Sequence, residues 1–111
     1  MFLLINKPTG LTSHDVVLRL RTITGEQTIG HAGTLDPAAT GLLILLVGTA
    51  TRLAQQFVDG QKEYLATVQL GITTDTLDAQ GKVLTVQKVE GITLEQVQAA
   101  CRQFLGVIEQ E

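Results

Sequence analysis

One carboxylate, Asp36, stands in a stretch whose other residues are suited to holding it rather than to reacting. The stretch runs from Gly30 to Gly41 and contains three glycines, one proline and two threonines, without the period of a helix or a strand. Pro37 restricts the residue before it to extended conformations, so the carboxylate has a fixed direction. Such a group suits nucleophilic or general-base catalysis, whereas a simple Asp-Pro turn would use it to cap its own backbone. The pattern alone leaves both interpretations open.

Apolar segments on both sides of this stretch predict the elements that would position the carboxylate. The run Leu42–Val47 follows it directly, and its unbroken apolar character predicts a strand buried on both faces. Residues 2–5 predict a shorter strand, which ends at a turn containing proline and glycine. A helix follows, because Thr12 and Asp15 fit a capping box and apolar residues continue at helical spacing up to Gly25.

The second half of the chain mixes helix and strand signals without a regular βαβ repeat, so we expect an α+β fold. The polar connection between its two strands holds Asp75 and Asp78, whose spacing fits turn chemistry better than a calcium loop. The last helix is expected to run to Gly106 and to bury Cys101 in its apolar stripe. The predicted elements are a helix capped by Thr49 or Thr51 and ending at Asp59, a strand over residues 63–72, a strand over residues 82–89, a helix capped by Thr93 and Gln96, and the start of a strand at residues 107–111.

Composition limits the possible classes of protein. The chain has 111 residues, of which 44% are hydrophobic and 4% aromatic, so we expect one domain with an aliphatic core. Its apolar runs are far shorter than the ~20 residues that cross a bilayer, and no basic segment precedes the apolar N-terminus. We therefore expect a cytoplasmic protein. Cys101 is the single cysteine, so an internal disulfide is excluded and neither a metal nor another cofactor is expected.

The charge is distributed unevenly along the chain. The net charge is −3, with +1 on residues 1–62 and −4 on residues 63–111. The more basic half therefore contains the stretch around Asp36. Nucleic-acid-binding domains are usually basic, so an RNA partner would gain little electrostatic attraction from this chain.

The stretch Gly30–Gly41 resembles the catalytic loop of pseudouridine synthases of the TruB type, which act on transfer RNA. The shared letters are GHAGTLDP, then ATG and an apolar run. The resemblance implies that Asp36 is the catalytic residue. It also implies that His31 helps to hold the disrupted RNA loop, although a histidine beside glycines equally suits a hydrogen bond within its own loop. The loop residues expected to support the aspartate are Gly33, Thr34 and Leu35.

Four further segments resemble motifs of the same family. The string KPTGLTS, which begins at Lys7, resembles the motif that supports the catalytic loop, and residues 74–81 resemble a TDTxDxxG element. The string GTATR ends at Arg52, which we expect at the start of a helix, where its charge needs an anionic partner. That partner is Asp36 or an outside phosphate. The string KEY ends at Tyr64, an ordinary core-edge aromatic by itself but the contact to the target base in the family.

The resemblance also implies a fold and a place in a longer protein. The family's catalytic domain is a mixed, mostly antiparallel sheet with flanking helices, which agrees with the α+β expectation. The similarity covers residues 4–111, so residues 1–111 are expected to form the N-terminal portion of a pseudouridine synthase catalytic domain. The C-terminal remainder and the RNA-binding domain would be absent. An interrupted last strand would leave an exposed sheet edge through which the chain self-associates.

The implied function is isomerisation of a uridine in the T-loop of tRNA, at position 55, to pseudouridine. Asp36 would act as nucleophile or base on a flipped-out base, and the partner would be the T-arm stem-loop. The chain alone is expected to be inactive. Two alternatives stay open: a guide-RNA-dependent synthase of the same family, and a non-catalytic module that folds tRNA. The presence of both Asp36 and Tyr64 favours chemistry.

Overall fold

The α+β class is confirmed by the computed structural model, which describes residues 1–109. Those residues fall into two compact units, Met1–Leu65 and the segment from Ala66 onward. Every strand pair is antiparallel. The described elements are β1 (Phe2–Lys7), α1 (Ser13–Thr24), β2 (Ile29–Ala32), β3 (Gly41–Val47), a 3₁₀ helix (Gly48–Leu53), α2 (Ala54–Val58), β4 (Ile72–Thr74), β5 (Val83–Val86) and α3 (Leu94–Arg102).

The first unit is built around β3, the middle strand of a three-stranded sheet with the order β1-β3-β2. The predicted burial on both faces is confirmed over most of the strand, since Leu45 and Leu46 point to opposite faces and are both 0% exposed. The exception is Leu42, which is 63% exposed. On one face Leu43 and Leu45 pack with α1, and on the other Leu46 packs with the 3₁₀ helix and α2. The unit is therefore a sheet between two helical layers.

Helix α1 begins and ends where the sequence predicts. Thr12 and Asp15 form the capping box, and Gly25 ends the helix in the left-handed region with φ 74°. Val16 and Val17 are buried against the sheet, whereas Ile23 is 81% exposed. The apolar stripe of α1 therefore contacts the core from Val16 to Leu20 but not at Ile23.

The prediction that Thr49 or Thr51 caps the following helix is wrong. Residues 48–53 form the 3₁₀ helix, which begins after Val47 with no side-chain cap, and α2 follows directly. The hydroxyl of Thr51 donates to the Gly48 carbonyl within this 3₁₀ segment, so it is not a helix cap. The predicted end is confirmed, since Asp59 follows the last residue of α2.

The strand predicted over residues 63–72 is also wrong. Residues 61–69 lie outside regular secondary structure, and β4 covers only Ile72–Thr74, paired with β5. A strand needs a hydrogen-bonded neighbour, and alternation of side chains does not supply one. Within residues 1–109, no backbone hydrogen bond joins residues 61–70 to another segment. The strand predicted over residues 82–89 is confirmed in its centre, at Val83–Val86.

Helix α3 has the predicted capping box between Thr93 and Gln96, but it ends at Arg102 rather than at Gly106. Cys101 is exposed, which corrects the expectation of a buried thiol. The reason is that no side chain of residues 66–109 reaches full burial, so the stripe of α3 has no core to enter. Residues 107–109 form no strand, and residues 110 and 111 lie outside the described residues.

Candidate functional site

The loop that carries Asp36 is shorter than the sequence predicts. Gly30, His31 and Ala32 belong to β2, where His31 pairs with Leu45 of β3, so the loop proper covers residues 33–40. The expectation that the whole stretch lacks strand structure is wrong, because the central strand supplies a hydrogen-bonding neighbour to its first residues. The glycines at the two ends of the loop, Gly33 and Gly41, have φ of 94° and 121°, values that side chains rarely allow.

One side of Asp36 is fixed by a serine from α1. The Leu35 amide donates to Ser13 Oγ at 2.9 Å, and Ser13 Oγ donates to the Leu35 carbonyl at 3.3 Å. Ser13 is 1% exposed, so water does not compete for these bonds. The hydroxyl therefore occupies both backbone groups of the residue that precedes the exposed aspartate.

The other side of Asp36 is fixed by the turn after β1. The Pro37 carbonyl accepts from the Gly10 amide at 2.7 Å and from Lys7 Nζ at 3.4 Å. The Ala38 carbonyl accepts from the Thr9 hydroxyl at 3.3 Å. The loop is thus tied to the segment Lys7–Ser13 on both sides of the carboxylate, which leaves the side chain in solvent and its backbone held.

Lys7 is an unusual anchor because its side chain is 0% exposed. Its ammonium also donates to the carbonyls of Leu11 at 2.7 Å and Pro8 at 3.0 Å. Burial of a charge is costly unless polar partners replace water, and three carbonyls do so here. Lys7 therefore ties together the end of β1, the start of α1 and the loop. The sequence motif named Lys7 as a support, but the contact of Ser13 with Leu35 was not predicted.

A cavity of about 600 Å³ lies beside the loop, within the first unit. Its walls come from the loop, from β3, from Phe57 of α2 and from residues 61–65. Tyr64 lines it and is 63% exposed. Of the other residues predicted for the site, Gly33, Thr34 and Leu35 also line it, whereas Asp36, His31, Arg52 and Lys7 do not. Tyr64 and residues of the loop therefore line the same cavity. Asp36 does not line it, but it is exposed and directly follows the lining residue Leu35 in the chain.

The half-buried ring of His31 is turned toward its own loop. Its Nδ1 lies 2.8 Å from the Gly33 carbonyl. A carbonyl only accepts, so Nδ1 carries the proton in this bond, and Nε2 takes no part in it. The hydrogen bond within the loop, one of the two interpretations of this histidine, is thus present.

Arg52 is exposed and lies near the end of the 3₁₀ helix, two residues before α2 begins, which agrees with the predicted position at the start of that helix. The expected anionic partner Asp36 is not beside it. Within residues 1–109 the ion pair that forms is Lys88 with Glu90, so Arg52 does not pair with Asp36.

The aspartates of the β4–β5 connection serve the turn, as predicted. Asp78 Oδ1 accepts from the Thr76 hydroxyl and from the amides of Gln80 and Gly81, and the Thr76 bond is the main cause of its lowered pKa. Asp75 accepts from the Lys82 amide at 2.8 Å. In the part of the chain that the structure describes, no group of three His, Cys, Asp or Glu residues is placed to hold a metal. No helix of residues 1–109 is long and apolar enough to span a membrane.

Comparison with known proteins identifies the family. The profile of TruB family pseudouridylate synthases (N terminal domain) matches residues 21–111. The chain is 50% identical over 109 residues to tRNA pseudouridine synthase B of Gloeothece citriformis (strain PCC 7424), an alignment that covers 98% of this chain and 35% of that protein. The protein of the same name from Opitutus terrae is 51% identical over 104 residues, which cover 94% of this chain and 43% of the relative.

A more distant relative carries the same name. It comes from Bdellovibrio bacteriovorus and is 43% identical over 109 residues, again 98% of this chain and 35% of the relative. The chain thus spans less than half the length of these three relatives. A match of this extent to the family profile is decisive, and the chain belongs to the TruB family of pseudouridylate synthases, in the region of its N-terminal domain.

Proposed function

We propose that this chain supplies the catalytic loop of a tRNA pseudouridine synthase that acts on a uridine in the T-loop, at position 55. The observation that carries the proposal is the exposed Asp36, whose two neighbours in the chain are held by the segment Lys7–Ser13, in a loop that lines a cavity together with Tyr64. The names of the relatives support tRNA as the substrate class. We further propose that residues 1–111 are the N-terminal portion of the catalytic domain, which the family match and the partial coverage of the relatives support.

The proposed reaction is an isomerisation. The glycosidic bond between N1 of uracil and C1′ of ribose breaks, the base turns, and C5 forms a new bond to C1′. The proton that leaves C5 is balanced by the proton that N1 gains, so atoms and electrons are conserved. Asp36 is proposed as the group that starts this sequence, by attack at C1′ or C6 or by removal of the C2′ proton.

A fixed backbone makes such a role feasible. Each of the three possible first steps requires a carboxylate oxygen at a defined distance and angle from one carbon or proton of the nucleotide. The bonds from Ser13 and Gly10 hold the residues on either side of Asp36, which restricts the backbone that carries the carboxylate. An enzyme that positions its nucleophile before the substrate arrives loses less free energy to reorganisation in the transition state.

The target nucleotide must leave its stack before the sugar and both edges of the base are accessible. The cavity of about 600 Å³ is large enough for one base and has the exposed Tyr64 ring in its wall. We propose that this ring stacks on the extruded base. His31 is proposed to hold the opened RNA loop through Nε2, which its bond to Gly33 leaves available.

The experiment that tests the proposal uses the complete protein that carries this chain and an unmodified tRNA transcript. Pseudouridine is mapped by nucleotide position, and a transcript with cytidine at the T-loop target serves as the control. The expected result is product at the T-loop uridine and none in the control. Product only after addition of a guide RNA would favour the guide-dependent alternative, and accelerated tRNA folding without product would favour the non-catalytic one.

A further inference from the structure

The basic side chains of the unit Met1–Leu65 differ in what they are free to bind. Lys7 is buried on three carbonyls, and the half-buried Arg21 donates to the Ile29 carbonyl at 3.0 Å. The remaining three, Arg19, Arg52 and Lys62, are exposed. Lys62 is the one lysine or arginine of residues 1–65 that lines the cavity beside the loop.

Lys62 is held in place by contacts at the end of its side chain, at Cε and at the ammonium. A Cβ added to Gly33 would lie 3.5 Å from Lys62 Cε, so the stem covers the first residue of the catalytic loop. Its ammonium donates to the Val58 carbonyl at the end of α2 and lies 3.5 Å from the Gly60 carbonyl. These contacts fix the position of the charge at the rim of the cavity.

The charge of Lys62 is not neutralised. Within residues 1–109, no carboxylate oxygen lies within 4.0 Å of its ammonium. An ammonium has three N–H donors, and the two carbonyls take at most two of them. One donor and a full positive charge are therefore available to an anion at the cavity rim.

We propose that Lys62 binds a backbone phosphate of the RNA, on the nucleotide next to the one in the cavity. This inference rests on the proposed function, because a nucleotide that enters the cavity carries phosphodiesters to its rim. Lysine suits such a contact as a compact point charge. Glu63 also lines the cavity, and its negative charge repels a phosphate. A phosphate at the cavity rim is therefore expected close to the Lys62 ammonium and away from the Glu63 carboxylate.

The test compares RNA binding by variants of the complete protein across a series of salt concentrations, with a T-arm stem-loop as the probe. Lys62→Met keeps an apolar stem over Gly33 and removes the charge. We expect affinity to fall about tenfold at ~0.1 M salt, as for one charged hydrogen bond. The slope of log Kd against log salt should become shallower by about one. Lys62→Arg should keep the slope, and Lys82→Met, which removes an exposed charge elsewhere, should leave both quantities unchanged.

A second measurement separates binding from loop support. Under single-turnover conditions, Lys62→Met should raise the RNA concentration needed for half the maximal rate by a larger factor than it lowers the rate at saturation, because the phosphate contact acts on affinity. An unchanged salt slope in Lys62→Met, an equal change in Lys82→Met, or a loss confined to the saturated rate would overturn the proposal. Should Lys62→Met be unstable in thermal unfolding, Lys62→Gln, whose amide can still donate to the Val58 carbonyl, supplies the same readout.

The failure of this inference and the failure of the proposed function give different results. If the wild-type protein forms no pseudouridine on tRNA, the proposed function is wrong. If the wild-type protein forms pseudouridine but Lys62→Met binds with the wild-type salt slope, only the phosphate contact is wrong.

Discussion

Ser13→Ala removes the hydroxyl that holds the residue before Asp36. Ser13 is the first residue of α1, and the N-cap of that helix is Thr12, so the substitution leaves the capping box in place. Alanine is also the better helix former. Any loss must therefore come from the two bonds between Ser13 Oγ and the backbone of Leu35, at 2.9 Å and 3.3 Å.

The size of the effect follows from what Ser13→Ala leaves unpaired. The Leu35 amide loses its partner in a half-buried position, which costs about 1–3 kcal/mol of folding free energy. The native loop conformation is then less stable, by the same free energy, relative to conformations in which Asp36 is misplaced. If the transition state requires the native loop, single-turnover rates should fall about 5- to 150-fold.

The assay is single-turnover pseudouridine formation on a T-arm stem-loop, together with urea unfolding of the same variant. Thr22→Ala is the matched control, because Thr22 is an exposed residue of α1 whose hydroxyl donates to the Leu18 carbonyl at 3.0 Å, away from the loop. It should change stability by less than about 0.5 kcal/mol and leave the rate unchanged. If Ser13→Ala reacts as fast as Thr22→Ala, the hydroxyl does not position Asp36 and the reasoning fails.

Three further predictions concern the cavity, the cap of α1 and the isolated chain. Tyr64→Ala should slow single-turnover product formation far more than Lys82→Ala, and equal rates would show that the ring does not contact the base. The pKa of Asp15 is held below its ordinary value because the Thr12 hydroxyl and amide donate to the carboxylate. The contribution of Asp15 to stability is therefore present above the unfolded-state pKa and is lost as pH falls through the folded-state pKa. Urea midpoints of wild type should thus drop more steeply than those of Asp15→Asn below pH ~4, and parallel curves would contradict this. The 111-residue chain alone should form far less product than the complete Gloeothece citriformis relative, of which it covers 35%, and should self-associate in sedimentation experiments; matched turnover by a monomer would contradict both expectations.

Local signals in the sequence predicted the elements that depend on neighbouring residues. The capping boxes at Thr12 and Thr93 are present because both partners of each box lie within four consecutive residues. The central strand β3 was predicted from an unbroken apolar run, which is typical of a strand covered on both faces, and Leu42 is the one leucine of that run that is exposed. These features need no knowledge of the rest of the fold.

Features that depend on distant partners were predicted poorly. The alternation over residues 63–72 is real, but a strand forms only where another strand pairs with it, and β4 begins at Ile72. Cys101 lies in an apolar stripe, yet α3 has no core to bury it. In both cases the periodicity of the sequence predicted which side chains share a face. It did not predict whether another strand, or a core, lies against that face.

The candidate site shows the same division. The GHAGTLDP and KEY strings named Asp36 and Tyr64 as candidates, and the structure places Tyr64, but not Asp36, in the lining of the cavity. The hydrogen bonds from Ser13 to Leu35 join residues 22 positions apart, so spacing alone did not reveal them. The expected ion pair of Arg52 with Asp36 does not form among residues 1–109, because it would join two segments whose relative position the sequence does not give.

The central claim is that Asp36 carries the chemistry while RNA binding is spread over other contacts. Its most direct test is the conversion of an unmodified T-arm stem-loop by Asp36→Asn in the complete protein, with enzyme in excess and mass spectrometry to verify that the asparagine is intact. The predicted result is no pseudouridine above background, with RNA affinity close to that of wild type, because the proposal assigns Asp36 a contact with the reacting nucleotide alone and the binding free energy to other contacts. Turnover by the verified Asp36→Asn protein at a rate comparable to wild type would contradict the account.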